Sequence, residues 1–470
     1  MVAAPFLDSL LLAMFRHRTR GLLRLTAWDG TVPGRPRTGA THLYVHIPFC
    51  AALCPFCSFH RVAHCRSQAA GYFTALRREI SLYHEAGFAF SSASFGGGTP
   101  TIEPDELLET IALVRARFGV AGVSVETNPR DLRAPLLARL RAGGVTRLSV
   151  GVQSFDDALL HALGRREKYG GGREIAARVR AAAGVFPTLN VDLIFNQPQQ
   201  TLASFARDLE IFQSLGAQQV SCYPLMSAPG GGATPDRRRL RRFYELLGQR
   251  LAPAFTPTSA WCFTRDGGAG DEYITTADHY VGVGSGAFSY LEGTLYATSF
   301  SLPAYARRIA GGRTGIVAGR PLGATDRMRY ALLVRMFGLG LDRDWAERQH
   351  GPDFFRRLRG ELFTLGLLGA ARRDAQGWRL TARGRYWLML MMAEFLQSVN
   401  AYRDTLRAQA AAEPLRPAGA ARGGGPSRPT RGEASAGRGE SPESPWFATN
   451  CQTAHTTLQA MRSRGSGESV

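Results

Sequence analysis

Lysine is almost missing from this sequence. Lys168 is the only one among 57 basic residues in a chain of 470, so the formal net charge of +19 is carried by arginine. A chain equally rich in glycine and alanine has the composition of a GC-rich genome, and we read the charge as codon bias rather than as a nucleic-acid surface. The densest basic cluster, Arg237 to Arg242, has the spacing of a solvated helix face. Cysteine is sparse as well, with seven residues, too few for a disulfide framework of a secreted protein. No apolar run reaches the ~20 residues that cross a bilayer, so no membrane span is expected. Leu10 to Phe15 is followed, not preceded, by Arg16, Arg18 and Arg20, the reverse of a secretory leader. Residues 1–40 therefore read as a basic segment opened by an amphipathic helix, and the protein as cytoplasmic. The 44% hydrophobic content supports a large core with an accessory domain.

What is present is a tight cysteine group. Cys50, Cys54 and Cys57 follow Tyr44, His46, Pro48 and Phe49 with the spacing C-x3-C-x2-C. Three thiolates on a [4Fe-4S] cluster leave one iron open for a small molecule to chelate. A zinc site completed by His60, His64 or Cys65 is the competing reading, but structural zinc usually draws on two separated ligand pairs. Cys222 and Cys262 sit in apolar surroundings as inert thiols, and Cys451 carries no role.

From Leu43 to Tyr223 short apolar runs alternate with helical patterns, the rhythm of β-α units on a parallel sheet. Strands are expected at residues 43–47, 93–95, 123–126, 147–152, 188–194 and 219–223, with helices between them. The fold class is α/β, a partial (β/α)6 TIM-like barrel over residues 41–226, in which chemistry gathers at the C-terminal strand ends. Residues 227–324, richer in Gly and Pro, extend or cover the barrel. Residues 325–408 read as a winged-helix-like module of helix, helix, wing and helix, with Met389, Met391 and Met392 in the last helix core. Residues 409–470 are expected to be disordered.

Polar elements fall at or just past the expected strand ends. Gly96 to Pro100 reads Gly-Gly-Gly-Thr-Pro, where glycine allows close backbone approach and frees amides to donate. Glu126 ends the third strand, Gln153 follows the fourth, Arg165 comes twelve residues later with Arg166 as its rival, and Asp192 lies near the end of the fifth. Together with Tyr-x-His-x-Pro-Phe-Cys, these elements resemble the radical S-adenosylmethionine (SAM) superfamily, in the branch of oxygen-independent coproporphyrinogen III oxidase and the related haem chaperones. The resemblance spans residues 41 to 400. It implies cluster ligation by Cys50, Cys54 and Cys57, and SAM contacts from Gly97, Gly98, Thr99, Glu126, Gln153, Arg165 and Asp192. It places Tyr44, Phe56, Met226 and Phe288 at the SAM or substrate pocket and likens Gly282 to Ser289 to the family's Gly-x-Gly-x-x-Ala element. The 325–408 module then becomes a lid.

Two positions depart from the family pattern. Asn196 replaces a glycine, and asparagine is a residue that tolerates the left-handed backbone such a turn needs. Phe59 stands where the oxidases carry a fourth cysteine, which resembles the haem chaperones and radical methyltransferases instead. The resemblance thus implies cleavage of SAM to a 5'-deoxyadenosyl radical acting on a tetrapyrrole or other small molecule, with a reduced flavodoxin- or ferredoxin-type electron donor. A haem chaperone without turnover and a C-methyltransferase using two SAM molecules are the alternatives.

Overall fold

The computed structural model describes residues 24–37, 39–57, 59–226, 237–265, 275 and 277–412. The helix expected after Leu10 and residues 413–470 lie outside them.

Short strands β1 (Thr26–Ala27), β2 (Thr41–Ile47), β3 (Phe49–Cys50) and β4 (Val62–Ala63) open the described chain. They are followed by β5 (Ser92–Gly97), β6 (Gly122–Thr127), β7 (Arg147–Gln153), β8 (Thr188–Phe195) and β9 (Gln219–Pro224). β2, β5, β6, β7, β8 and β9 pair in that order, all parallel. These are the six strands expected from the sequence. Apolar residues alternate along these strands and so line one face of the sheet: Leu43, Val45 and Ile47 on β2 and Leu189, Val191 and Leu193 on β8 are fully buried.

The helices between them carry local start and stop signals. Helix Pro104–Phe118 opens on proline with Asp105 and Glu106 in its first turn and stops at Gly119, whose φ of 65° suits glycine. Thr201 and Ser204 cap helix Leu202–Gln213 reciprocally, each hydroxyl accepting from the other's amide at 3.0 Å. That helix buries Phe205, Leu209 and Phe212, spaced along one face.

The extension does more than cover the barrel. β10 (Phe255–Pro257) and β11 (Cys262–Arg265) continue the sheet antiparallel beyond β9. At the opposite edge β12 (His279–Val283) joins β2 as a seventh parallel strand. β13 (Phe288–Leu291), β14 (Thr294–Thr298) and β15 (Ile316–Pro321) then run on antiparallel to β1. Toward the C-terminus β16 (Gly340–Asp342), β17 (Ala371–Arg373) and β18 (Gly377–Leu380) form a separate three-stranded sheet among helices. The last helix, Ala382–Ala412, buries Met389 and Met392 as expected but continues past residue 409, where disorder was anticipated.

Two buried carboxylates tie the layers to the strand ends. Glu79, on helix Arg66–Glu85, accepts from Gly284 N, Tyr305 Oη and Gly315 N at 2.8, 2.7 and 2.6 Å, joining that helix to the β12–β15 edge. Asp208 accepts from Ser154 Oγ and Phe155 N at 2.8 and 2.7 Å, fixing the chain where it leaves β7. Burial pushes the Asp208 carboxyl up to about 6, opposed by those two hydrogen bonds. A carboxyl whose folded pKa is raised contributes its full stability below the unfolded pKa and loses it as pH climbs through the folded value. Wild type should therefore lose about 3 kcal/mol relative to Asp208→Asn between about pH 4 and pH 6. Urea denaturation across that window measures it, and parallel pH slopes for the two proteins would rule the assignment out.

Candidate active site

At the C-terminal strand ends the cysteine loop is folded back against the turn after β5. Gly98 N donates to Ile47 O and Thr99 N to Phe49 O, both at 2.8 Å. Thr99 Oγ1 lies 3.7 Å from Cys50 Sγ. A Cβ on Gly98 would meet the Phe49 carbonyl oxygen at 2.5 Å, and one on Gly96 would meet the Glu126 carboxylate at 2.6 Å. Glycine is thus demanded by close packing. The amides of this run are not free, contrary to expectation: Gly97 N also donates, to Glu126 Oε2 at 3.0 Å. A backbone contact from Gly97, Gly98 or Thr99 to a ligand must therefore come from a carbonyl oxygen, an acceptor suited to an ammonium.

One cleft gathers nearly all the residues singled out from the sequence. Its wall includes Tyr44, Phe56, the three cysteines, Gly97, Gly98, Thr99, Glu126, Gln153, Arg165, Asp192 and Met226. Cys50 and Cys54 are buried, Cys57 is half-buried, and all three are free thiols. Burial pushes the Cys50 thiol up, with the Thr99 hydroxyl opposing. Gln153 reaches the wall through a left-handed backbone, φ 77°, at an irregularity in the β7–β8 pairing. Such strain in a non-glycine residue gathers at functional sites.

Arg165 is separated from its rival by environment. It is buried, reaches Cys54 Sγ at 3.5 Å, donates to Gly151 O and lies over the Tyr169 ring at 4.3 Å. Its Nε is buried without a hydrogen-bond partner among the described residues. Arg166 points away, pairing with Asp157 at 3.2 Å on the surface. Arg61, unremarked in the sequence, lines the same cleft and donates to Cys54 O and to Cys57 O, the latter at 2.7 Å, tying the two ends of that stretch of the loop together.

The floor of the cleft is polar. Asp192 accepts from Ser149 Oγ at 2.8 Å and Asn190 Nδ2 at 2.9 Å. Arg147 donates to Gln219 at 2.8 Å and to Ser124 at 3.1 Å. Burial pushes the Asp192 carboxyl up, and the Arg147 charge, Ser149 and Asn190 pull it back. Arg147 was missed, although an arginine two residues before Ser149 in an apolar strand has the period that faces one side of a sheet.

Two expectations find other places. Phe288 lies outside this cleft, against Phe300 and Tyr402. The Gly282–Phe288 element is bound into the sheet edge, with Gly284 N on Glu79 and Ser285 N on Tyr72 Oη at 3.0 Å. Asn196 does take the left-handed backbone, φ 62°, but its side chain is not part of the cleft wall.

The donor set fits an iron–sulfur cluster better than zinc. His60 Nε2 meets Ser285 Oγ at 3.1 Å and His64 Nε2 meets Glu103 at 2.7 Å, so both histidines are engaged elsewhere. Among the described residues no three His, Cys, Asp or Glu side chains are gathered for one metal ion. A four-iron cluster binds each thiolate to a different iron and does not ask for that closeness. The unpartnered, buried Arg165 Nε and the satisfied glycine amides leave a donor and acceptors for a zwitterionic ligand beside the thiols.

Comparisons with known proteins agree on the class. A match to the Radical SAM superfamily spans residues 44–211. The heme chaperone HemW of Mycobacterium tuberculosis is 31% identical over 319 residues, 62% of this chain and 79% of that protein. The oxygen-independent coproporphyrinogen III oxidase of Pseudomonas aeruginosa is 28% identical over 411 residues, covering 77% and 87%. Among solved structures, coproporphyrinogen III oxidase (HemN) from Escherichia coli, a radical SAM enzyme, aligns with a TM-score of 0.63 at 25% identity, covering 77% of this chain and 91% of that one.

The Gly98 contact gives a direct test of the loop packing. Gly98→Ala should destabilise the protein by about 1–3 kcal/mol, the usual cost of overpacking, and speed alkylation of the buried Cys50 thiol, read by mass spectrometry. Gly71→Ala, in open space on a helix, is the control and should leave Cys50 protected. Equal Cys50 protection in both variants would contradict the packing described.

Proposed function

The chain belongs to the radical SAM superfamily, in the branch of the haem chaperones and oxygen-independent coproporphyrinogen III oxidases, and from that premise we propose that it cleaves SAM reductively and acts on a tetrapyrrole. The observation that carries this reading is the convergence of Cys50, Cys54 and Cys57 with Thr99, Glu126, Gln153, Arg165 and Asp192 on one cleft. When bound, a [4Fe-4S] cluster with SAM supplies a 5'-deoxyadenosyl radical that abstracts hydrogen from a substrate.

The protein's own residues divide the remaining work. Cys50, Cys54 and Cys57 ligate the cluster. Arg165 presents a guanidinium to the SAM carboxylate, which would satisfy its orphaned Nε. Glu126 and the carbonyl oxygens of Gly97 and Gly98 accept from the amino group, while Asp192, held by Ser149 and Asn190, accepts from the ribose. Gln153 adds a polar contact, and Tyr44, Phe56 and Met226 line the cleft and exclude water. An arginine-rich surface concentrates a polycarboxylate substrate. The electron comes from a reduced flavodoxin- or ferredoxin-type protein, in the cytoplasm.

A second reading, the haem chaperone, is favoured by one residue. Phe59, in place of the oxidases' fourth cysteine, lies exposed at the cleft wall. The same residue also suits a methyltransferase that consumes two SAM molecules.

The three readings separate in one experiment: anaerobic reconstitution with iron and sulfide, then dithionite and SAM, with coproporphyrinogen III or haem, followed by mass spectrometry. We expect 5'-deoxyadenosine that disappears in Cys54→Ala and rises with one tetrapyrrole. S-adenosylhomocysteine alongside it marks the methyltransferase. Intact SAM with tight haem binding overturns catalysis in favour of the chaperone.

A further inference from the structure

The fold sets the chain's only lysine beside the cysteine loop. Lys168 belongs to the four-residue helix Arg166–Tyr169, whose N-cap is Arg165. Residues three apart share a helix face, so one short element turns two cations toward the same loop. Lys168 Nζ donates to Leu53 O at 3.2 Å and stands 4.0 Å from Cys54 Sγ. Arg165 Nη1 is 3.5 Å from the same sulfur. Cys50 Sγ instead takes the neutral Thr99 hydroxyl, and Arg61 addresses the carbonyls of Cys54 and Cys57 rather than their sulfurs. The positive charge around the cysteine group is therefore concentrated on Cys54 Sγ.

Arg165 already has a place in cofactor binding, but Lys168 has none, and its geometry is not that of a surface side chain left in solvent. The ammonium is anchored on the loop's own backbone, with Gly164 and Pro55 packed alongside: a Cβ on Gly164 would lie 4.0 Å from Nζ and 3.4 Å from Pro55. A compact ammonium acts as a point charge, where a guanidinium would spread its charge over a planar fork. Reduction potentials of iron–sulfur clusters respond to net charge nearby and to hydrogen bonds on the ligand sulfurs. A cation beside a ligand sulfur favours the form with one more electron.

We propose that Lys168 is a positioning residue for electron uptake: through Cys54 it raises the reduction potential of the [4Fe-4S] cluster, so that a donor of the flavodoxin or ferredoxin class can deliver the single electron that takes it from the 2+ to the 1+ state. The inference rests on the cluster assigned under the proposed function and adds the residue that tunes it.

The test is a redox titration, followed by electron paramagnetic resonance, of reconstituted wild type, Lys168→Arg, Lys168→Gln and Lys168→Glu, with iron and sulfide content measured on each. Midpoints should follow charge: Lys168→Arg nearest the wild-type value, Lys168→Gln more negative, Lys168→Glu more negative still. Midpoints that do not move, or that move equally in all three variants, overturn the inference and leave Lys168 a packing residue. If the Gln and Glu variants retain no cluster, wild type is loaded first and then acetylated, with the modified amine located by mass spectrometry. Lys168 and the N-terminus carry the only primary amines, and Lys168→Arg treated in parallel isolates every other contribution. A negative shift confined to wild type supports the inference, and an unchanged midpoint overturns it. Wild type without a [4Fe-4S] signal overturns the proposed function itself, whereas a loaded cluster with a charge-independent midpoint overturns this inference alone.

Discussion

Two backbone hydrogen bonds, from Gly98 to Ile47 and from Thr99 to Phe49, hold the cysteine loop to the sheet. They exist only because Gly98 has no Cβ, since any side chain there would collide with the Phe49 carbonyl. The seating of Cys50 against Thr99 follows from them. Farther along the loop, Arg61 donates to the carbonyls of Cys54 and Cys57, while Arg165 and Lys168 stand near Cys54 Sγ. A chain with the same three cysteines but a bulkier residue at this turn would keep the ligands and lose their arrangement.

The second constraint is that the barrel interior is polar where a purely structural core would be apolar. Ser124, Arg147, Ser149, Asn190, Asp192, Gln219 and Ser221 sit on adjacent strands and are buried or half-buried. They bond one another, as Ser221 Oγ does with Asn190 Oδ1 at 3.2 Å, and Gln219 Nε2 reaches beyond them to Thr264 Oγ1 at 3.0 Å. Burying charge is costly unless it is paired and hydrogen-bonded. Here the carboxyl and guanidinium share one floor and each has neutral partners. The network holds Asp192 in one orientation toward the cleft, a restraint that an apolar floor would not provide.

Legibility in the sequence tracked how local the determinant is. The six central strands and their helices were readable because each is a short apolar run or an amphipathic segment with its own caps. The edge strands were not, because β12 pairs with β2 across more than two hundred residues, and nothing in a Gly- and Pro-rich stretch says which edge it will join. Within the cleft, residues carried by family motifs were readable by resemblance. Arg61 and Lys168 were not, since their role depends on a loop folding back on them. Phe288, a family position read from order along the chain, packs against Phe300 and Tyr402 and is not among the residues lining this cleft. In the Gly96–Thr99 run, Gly98 is crowded by the Phe49 backbone, Gly96 and Gly97 by the side chains of Glu126 and His46, and the amides of Gly97, Gly98 and Thr99 already donate within the protein.

These features give the cleft an ordered polarity that narrows what it can hold. Cations stand at the cysteine loop, carboxylates at Glu126 and Asp192, and backbone acceptors between them. A buried donor left unpaired, such as Arg165 Nε, costs about 1–3 kcal/mol, and a carboxylate, as a charged acceptor, offsets that cost more strongly than the neutral oxygens of a nucleoside. A ligand with a carboxylate and an amino group on one carbon, joined to a ribose, meets all three regions at once. A simple anion would meet the cations and then face Glu126, and a simple cation would face Arg165. The selectivity therefore lies in the sequence of charges along the wall, which Gly98, Gln153 and the Asp208-held turn after β7 keep in register.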